Sequence, residues 1–362
     1  MYSYRMNQVI KGRGTAAQPP GRFQRHIVEP SDDEPERALP RIVTEVQPEL
    51  ARSIITRNTS PDLPFDQSIN PYRGCEHGCI YCFARPSHAY VGLSPGLDFE
   101  TRLFYKRDAA LLLEAELAKP GYRCKPIMLG TNTDPYQPIE RDHGVTRSVL
   151  EVLWRCRHPV AILTKGAWLE RDLELIATMA RAGLARVTLS LPTLDVDLKR
   201  ILEPRAASPQ ARLRIMRQLA AAGVPTGVLV APIIPAITDH ELEALLEAAA
   251  DAGAERAGYV FLRLPHEVAG LFQIWLAQHF PQRAAHVMAL VREARNGADN
   301  DSRFGSRLSG SGNWIEVLRQ RFALTCRRLN LSNGSEVSLD CSQFRPPAPS
   351  SKARAGQLAL DL

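Results

Sequence analysis

The stretch "CEHGCIYC" at residues 75–82 places three cysteines, Cys75, Cys79 and Cys82, at spacings of four and three residues. Three thiols in one short loop can belong to a disulfide framework, a zinc site or an iron–sulfur site. Structural zinc normally takes four protein ligands, and the other cysteines of the chain offer no second pair. His77 lies inside the loop, where joining the same ion would strain the backbone. A [4Fe–4S] cluster normally takes four thiolates, so three would leave one iron open to another ligand.

Composition and chain ends restrict the class of protein. The chain has 362 residues, of which 44% are hydrophobic and 23% charged, as expected of a globular protein with a sizeable core. It has no run of about eighteen apolar residues, so we expect no membrane span. The N-terminus lacks the apolar segment of a secretory signal, and we expect a cytoplasmic protein whose cysteines are thiols or ligands. The formal net charge of +6 is compatible with a polyanionic partner without identifying one.

A regular alternation of short apolar runs and helical patterns follows the same loop. The runs lie at 66–70, 126–130, 160–164, 186–191, 226–231 and 257–262. From the second onward they recur every ~30 to 40 residues, the length of one strand–helix unit with its loops. The pattern predicts a parallel α/β fold, either an incomplete barrel or an open sheet. In both, the active site lies at the carboxyl ends of the strands.

Glycines support the same pattern. Gly183, Gly223 and Gly253 each stand just past a helical pattern and just before an apolar run. Glycine adopts the left-handed conformation that ends a helix at low cost. These positions therefore predict helix ends within the strand–helix units.

Four regions of different composition follow along the chain. Residues 1–45 are rich in Pro, Gly and charged residues and predict a disordered N-terminal segment. The strand–helix core occupies residues 60–265 and is followed by a helical, arginine-rich region at 266–345. Residues 346–362 predict a flexible tail. The arginine excess fits a nucleic-acid interface and an ordinary solvated surface equally well.

The cysteine loop resembles the motif of the radical S-adenosylmethionine (radical SAM) superfamily, in which an aromatic residue, here Tyr81, precedes the last cysteine. The resemblance covers about residues 60–265 and implies an incomplete, TIM-like (β/α)6 barrel. It also implies that Cys75, Cys79 and Cys82 hold a [4Fe–4S] cluster whose open iron binds SAM. In that superfamily one electron cleaves SAM to a 5′-deoxyadenosyl radical, which abstracts hydrogen from the substrate. A reductant such as flavodoxin or ferredoxin is then an expected partner.

The superfamily resemblance further implies SAM contacts on loops that follow the strands. The candidates are Thr131, Thr133, Asp134, Lys165, Ser190, Glu203 and Arg205. The loop "GTNTD" corresponds to the segment that contacts the SAM amino group, although it lacks the common Gly-Gly-Glu form. Lys165 and Arg205 are candidates for the SAM carboxylate, because a guanidinium binds a carboxylate with two parallel hydrogen bonds. Ser190 is the candidate for the ribose.

A narrower resemblance concerns "PFDQSINPYRGCEHGCIYCFAR" and "GTNTDPYQPIE". Both are similar to the branch grouped with spore photoproduct lyase, whose members are often labelled DNA repair photolyases. The resemblance implies lesion reversal in damaged DNA, and a thiol is the usual donor that quenches the product radical. Cys326 and Cys341 are the hypothetical donors, with buried structural cysteine as the alternative for each.

Two other functions remain open at this point. One is radical SAM modification of a protein, an RNA or a small molecule. The other is a non-catalytic nucleic-acid binding module whose metal site is only structural.

The last six residues, "QLALDL", resemble the bacterial sliding-clamp binding hexapeptide. Gln357 would form a hydrogen bond at the rim of the clamp groove. Leu358, Leu360 and Leu362 would fill its apolar part. Such a short segment becomes ordered on binding, so a modest affinity is expected.

Overall fold

The structure of the protein is a computed structural model, and it describes residues 9–23, 42–333 and 339–347. The strands of the described residues are β1 (Glu45–Pro48), β2 (Ile55–Arg57), β3 (Gln67–Ile69), β4 (Tyr72–Arg73), β5 (Arg102–Tyr105), β6 (Ile127–Leu129), β7 (Val160–Thr164), β8 (Ala185–Ser190), β9 (Thr226–Ile233) and β10 (Arg256–Phe261). The α-helices are α1 (Asp98–Thr101), α2 (Ala109–Leu117), α3 (Glu140–His143), α4 (Val145–Arg155), α5 (Leu173–Arg181), α6 (Val196–Leu202), α7 (Pro209–Ala221), α8 (Leu242–Asp251), α9 (Glu267–His279), α10 (Ala284–Ala294) and α11 (Asn313–Arg328). Short 3₁₀ helices lie at Arg85–Val91, Ala167–Asp172 and Asp239–Glu241. None of the described helices is both long and apolar enough to span a lipid bilayer.

The main sheet has the strand order β10-β9-β8-β7-β6-β3-β2. The six apolar runs of the sequence form β3, β6, β7, β8, β9 and β10, and all of these pair in parallel. β2 pairs with β3 in the antiparallel direction and forms one edge, while β10 forms the other. Because the two edges do not pair with each other in the described residues, the barrel is incomplete. The predicted fold class is confirmed.

The glycine positions are confirmed as well. Gly183, Gly223 and Gly253 follow α5, α7 and α8 with φ angles of +71°, +75° and +89°. Residues with a Cβ adopt this region only with strain, so glycine ends each helix and turns the chain into the next strand.

The gap between the two sheet edges is crossed by loops. The guanidinium of Arg307 donates two hydrogen bonds to the Asp62 carboxylate, at 2.7 and 2.6 Å, although the residues are 245 positions apart. The Phe261 amide, at the end of β10, donates to the Leu308 carbonyl at 2.9 Å. The loop after β2 and the glycine-rich loop before α11 therefore close one side of the barrel.

The N-terminal segment differs from the sequence prediction. Disorder was predicted for residues 1–45, but residues 9–23 pack against the core, and Ala17 is only 3% exposed. The Gly14 amide donates a hydrogen bond of 2.9 Å to the buried carboxylate of Glu100. The prediction is wrong for this segment because its partners lie far along the chain, where local composition carries no information. Residues 24–41 are not described.

The C-terminal region contains α9, α10 and α11, with α11 packed against α8. Most of its arginines are ion-paired, as in the contacts of Arg321 with Glu243 at 2.7 Å and of Arg328 with Glu247 at 2.6 Å. On this outer surface, most of the positive charge is therefore paired with carboxylates of the protein. Residues 348–362, which include the hexapeptide, lie outside the described residues.

Candidate active site

The cysteine loop, residues 75–82, follows β3 and β4 at the carboxyl end of the main sheet. Gly74 and Gly78 have φ angles of +74° and +67°. A Cβ at Gly74 would lie 2.5 Å from the Leu103 Cδ2 atom, and one at Gly78 would lie 2.6 Å from a Glu100 oxygen. Both positions therefore require glycine, which allows the loop to curl without a clash.

A buried ion pair supports the loop from behind. Arg85 and Glu100 are both 0% exposed and contact each other directly. The Arg85 guanidinium also donates to the carbonyls of Cys79 at 3.0 Å and Gly78 at 3.3 Å. Because Glu100 accepts the Gly14 amide as well, the N-terminal segment belongs to the same support. Sequence analysis missed this pair, since nothing in the local pattern distinguishes it.

A second set of contacts ties the loop to the segment after β6. The Glu76 amide donates to the Gln137 side chain at 2.8 Å, and His77 Nδ1 lies 3.4 Å from the Asp134 carboxylate. Asp134 also accepts hydrogen bonds from the Thr164 hydroxyl at 2.6 Å and the Lys165 amide at 2.7 Å. Burial raises the pKa of Asp134, but His77 and these hydrogen bonds outweigh it and hold the pKa at about 2.

Asp134 has several protein partners. With a further hydrogen bond from the Tyr136 amide at 2.9 Å, it accepts three hydrogen bonds from protein donors and so positions these loops. Its predicted contact with SAM stays a prediction.

The two threonines of the same segment face different directions. Thr133 is 1% exposed, and its hydroxyl donates to the Tyr72 carbonyl at 2.9 Å. Thr131 lines the main cavity described below. The Asn70 side chain, which sequence analysis missed, accepts the Asn132 amide at 3.0 Å and fixes this turn. Of the two threonines, Thr131 is the one available to a ligand.

Tyr81, Lys165 and Glu203 come together beside Cys79. The Tyr81 hydroxyl donates to the Glu203 carboxylate, which is 0% exposed and also pairs with Arg212. Lys165 Nζ lies 3.9 Å from the same carboxylate. Burial raises the pKa of Glu203, but Arg212 and Lys165 lower it. On balance the pKa lies below its usual value, and the carboxylate stays charged. The group therefore fixes the aromatic ring of the motif.

The three thiols fit a cluster better than a single ion. Cys75 and Cys79 are 7% and 8% exposed, and burial raises the pKa of all three thiols. A buried thiolate needs a bound cation or metal for compensation. Among the described residues, no three His, Cys, Asp or Glu side chains converge as ligands of one metal ion do. A [4Fe–4S] cluster holds each thiolate on a different iron, so it needs no such convergence.

Ser190 and Arg205 make contacts within the protein. The Ser190 hydroxyl donates to the Ala231 carbonyl at 3.2 Å and is 1% exposed as a residue. The Arg205 guanidinium donates to Glu76 at 2.7 Å and lines a second cavity of about 580 Å³ beside Arg13. The carboxylate that Arg205 meets here belongs to the protein, and its predicted contact with SAM stays a prediction.

Cys326 and Cys341 lie far from the cysteine loop, which corrects the hydrogen-donor hypothesis. Cys326 is a buried residue of α11, on the outside of the barrel. Cys341 follows Asp340, whose amide donates to the Gly183 carbonyl just before β8. That contact places Cys341 at the amino ends of the strands, opposite the active site. Neither thiol can donate hydrogen at the site from these positions. The sequence could not show this, because the distance of each thiol from the loop is set only by the folded chain.

The main cavity has a volume of about 830 Å³ and follows the concave face of the sheet. Near the cysteine loop it is lined by Arg73, Phe83 and Thr131. Its cationic side chains are Arg57, Arg73, Lys106, Arg186, Arg256, Arg263 and Arg307. Among the described residues that line it, the only carboxylate belongs to Glu49, which pairs with Arg73 at 2.5 Å. The cavity is therefore strongly cationic, a property that sequence analysis missed.

Comparisons with known proteins agree with this arrangement. The model of the radical SAM superfamily matches residues 69–249, half of the chain. An uncharacterized protein of Mycobacterium bovis is 40% identical over 232 residues, which is 64% of this chain and 68% of that protein. A protein of Methanocaldococcus jannaschii, also named as uncharacterized, is 27% identical over 173 residues, or 48% of this chain and 62% of that protein.

Solved structures of spore photoproduct lyase share the fold. One superposes with a TM-score of 0.56 at 14% identity and covers 81% of this chain and 82% of that chain. Another, of a variant with bound AdoMet and dinucleoside spore photoproduct, has a TM-score of 0.55 at the same identity and coverage. At this identity the likeness concerns the fold alone.

Proposed function

This chain belongs to the radical SAM superfamily, and we propose that it applies the chemistry of that family to nucleic acid, reversing a lesion in damaged DNA. Its cofactors are a [4Fe–4S] cluster and SAM. Cys75, Cys79 and Cys82 would hold the cluster. When bound, the two cofactors together supply hydrogen-atom abstraction from an unreactive carbon.

The cationic cavity is the observation that carries the nucleic-acid assignment. Its lining combines seven cationic side chains with one carboxylate. Such a charge excess in a concave, partly desolvated site attracts polyanions and repels anionic protein surfaces. A neutral small molecule or an ordinary peptide would leave the half-buried charges of Arg186 and Arg263 uncompensated, at a free-energy cost.

An aromatic side chain in the cavity supports the same assignment. Phe83 follows Cys82 directly, is 45% exposed and lines the cavity. The Arg263 guanidinium lies 5.2 Å from the centre of its ring. An exposed ring beside a guanidinium offers a stacking surface for an unpaired base and a contact for its phosphate. Enzymes that act on a base take it out of the helical stack, so a flipped or single-stranded target fits this cavity.

The test is an anaerobic turnover experiment with reconstituted, dithionite-reduced protein, SAM and lesion-bearing single-stranded DNA. We expect 5′-deoxyadenosine to form and the lesion to be replaced by unmodified bases. Cys79→Ala should give neither product. Products from undamaged RNA, protein or a small molecule, with damaged DNA unchanged, would contradict the substrate assignment. Protein that takes up zinc in place of iron would contradict the radical chemistry and favour a non-catalytic module.

The partners of this reaction are part of the proposal. A small reductant such as flavodoxin or ferredoxin would deliver the electron. The tail hexapeptide, outside the described residues, would tether the enzyme to a bacterial sliding clamp. Fluorescence anisotropy of a labelled tail peptide against purified clamp should saturate, and a peptide with Gln357 and Leu360 both replaced by Ala should not. Equal behaviour of the two peptides would remove the clamp from the proposal.

A further inference from the structure

The end of the main cavity away from the cysteine loop carries two arginines, one on β8 and one on β10, the strands on either side of β9. Thr188 of β8 pairs with Gly227 of β9, and Gly227 pairs with Arg256 of β10. Arg186 lies two residues before Thr188 and therefore on the same face of β8. Arg186, Gly227 and Arg256 all line the cavity. We call these three residues the floor of the cavity.

The floor is open because β9 contributes no side chain to it. A Cβ at Gly227 would lie 3.4 Å from the Thr188 hydroxyl and 3.5 Å from the Arg256 Cβ. These are ordinary contact distances, so a small side chain would fit and would occupy the space between Thr188 and Arg256. With glycine at this position, that space stays open to the cavity.

One of the two positive charges of the floor has no partner in the part of the chain that the structure describes. Arg186 is half-buried, and within the described residues it has no hydrogen-bond or ion-pair partner. Burial lowers the pKa of Arg186, and the nearby positive charge of Arg256 lowers it further. Glu49, the one lining carboxylate, pairs with Arg73 at the opposite end, next to the cysteine loop. An unpaired guanidinium with a second positive charge nearby favours a bound anion.

We propose that the floor is a second anion site, at which Arg186 and Arg256 bind a phosphate group of the substrate. From Arg186 to Ser190, at the carboxyl end, β8 rises by roughly 13 Å at about 3.3 Å per residue. A substrate that reaches both ends of the cavity therefore carries its phosphate well away from its reacting carbon. The phosphate site does not depend on the proposed function. Only the assignment of its phosphate to a nucleic-acid phosphodiester rests on that function.

The test measures binding of a fluorescent single-stranded oligonucleotide to the anaerobic holoenzyme as a function of salt. Arg186→Gln should weaken binding about tenfold and reduce the slope of log K against log salt by about 0.7, the value for one lost phosphate contact on a single strand. Arg186→Lys should restore most of the affinity. Arg217→Gln, which removes the same charge from the exposed outer face of α7, is the control and should change neither quantity. Equal effects of Arg186→Gln and Arg217→Gln would overturn the proposal.

A second variant tests the space without changing the charge. Gly227→Val should fill the floor and weaken binding to a similar extent, while iron content and the unfolding midpoint of each variant report on folding. If a folded, iron-loaded Gly227→Val protein binds as the parent does, no anion occupies the floor and the proposal fails.

Competition distinguishes the possible sources of the phosphate. Inorganic phosphate and a 5′-mononucleotide should each displace the probe from the parent protein and have no such effect on Arg186→Gln. If direct calorimetric titration shows Arg186-dependent binding of phosphate to a holoenzyme that binds no oligonucleotide, the anion site is retained and the nucleic-acid function is rejected. Absence of Arg186-dependent phosphate binding would reject the site, whatever the outcome of the turnover experiment.

Discussion

The arginines behind the cysteine loop and the arginines that line the main cavity differ in whether their charges have partners within the protein. Arg85 is 0% exposed, pairs with Glu100 and donates to the carbonyls of Gly78 and Cys79. Arg263 is half-buried, its Nε atom has no hydrogen-bond partner, and its guanidinium lies over the Phe83 ring. A buried charge whose hydrogen bonds are all satisfied fixes a structure, whereas one that lacks partners favours binding of an opposite charge. The comparison separates residues that build the site from residues that bind its substrate.

The largest expected effect follows from breaking the support. Arg85→Met would leave Glu100 as a buried carboxylate without its cation, which costs about 3–5 kcal/mol of stability. We expect the variant to lose most of its reconstituted iron, because the carbonyls of the loop lose their donor as well. Urea unfolding and iron content measure the two effects. If Arg85→Met keeps normal stability and iron content, Arg85 does not support the loop, and the two regions do not differ in the way described.

His88, which lies on the same 3₁₀ helix as Arg85, predicts a pH dependence of stability. This residue is 0% exposed, contacts the Arg102 carbonyl at 2.9 Å, and burial lowers its pKa to about 4 from an ordinary 6.5. Between these values the unfolded chain binds a proton that the folded protein does not, so stability falls as pH falls from about 6.5 to 4. The loss for this residue amounts to up to about 3 kcal/mol. Unfolding free energies of the parent and His88→Gln over this window should differ in slope; parallel curves would contradict the assignment.

Replacing an arginine of the cavity should change stability less than Arg85→Met does, but should change oligonucleotide binding more. Arg263→Gln removes a desolvated charge whose pKa is lowered by burial, so the free energy of unfolding should stay constant or increase slightly. Binding of single-stranded oligonucleotide should weaken about tenfold, with a shallower salt dependence. Anisotropy titrations at several salt concentrations measure this. A variant that loses stability and keeps its affinity would reverse the roles assigned to the two regions.

The smallest effect is expected on the outer surface of the C-terminal helices. Arg328 pairs with Glu247 at 2.6 Å, but their side chains are 57% and 45% exposed. Exposed pairs of this kind contribute less than about 1 kcal/mol. Arg328→Gln should therefore leave oligonucleotide affinity unchanged and shift the urea midpoint only slightly. A loss of affinity equal to that of Arg263→Gln would place the nucleic-acid interface on this surface instead.

Whether a residue's role could be predicted from the sequence depends on how far apart its partners lie along the chain. Cys75, Cys79, Cys82 and the neighbouring Tyr81 could be identified because they lie within eight consecutive residues. The strands could be identified because a buried parallel strand is a short apolar run followed by a helix. Cys341 was assigned incorrectly, because it comes close to the segment before β8 only in the folded chain.

The sequence by itself determined the thiol motif, the parallel fold and the position of the site at the carboxyl ends of the strands, since spacing and periodicity are local properties. Only the tertiary structure decided which charges are satisfied and which are not. The contact of Gly14 with Glu100 spans 86 positions, and that of Arg307 with Asp62 spans 245. The floor likewise joins residues of β8, β9 and β10 that are 29 or more positions apart along the chain. Electrostatic interactions depend on distance in space and on burial, and the folded chain alone sets both.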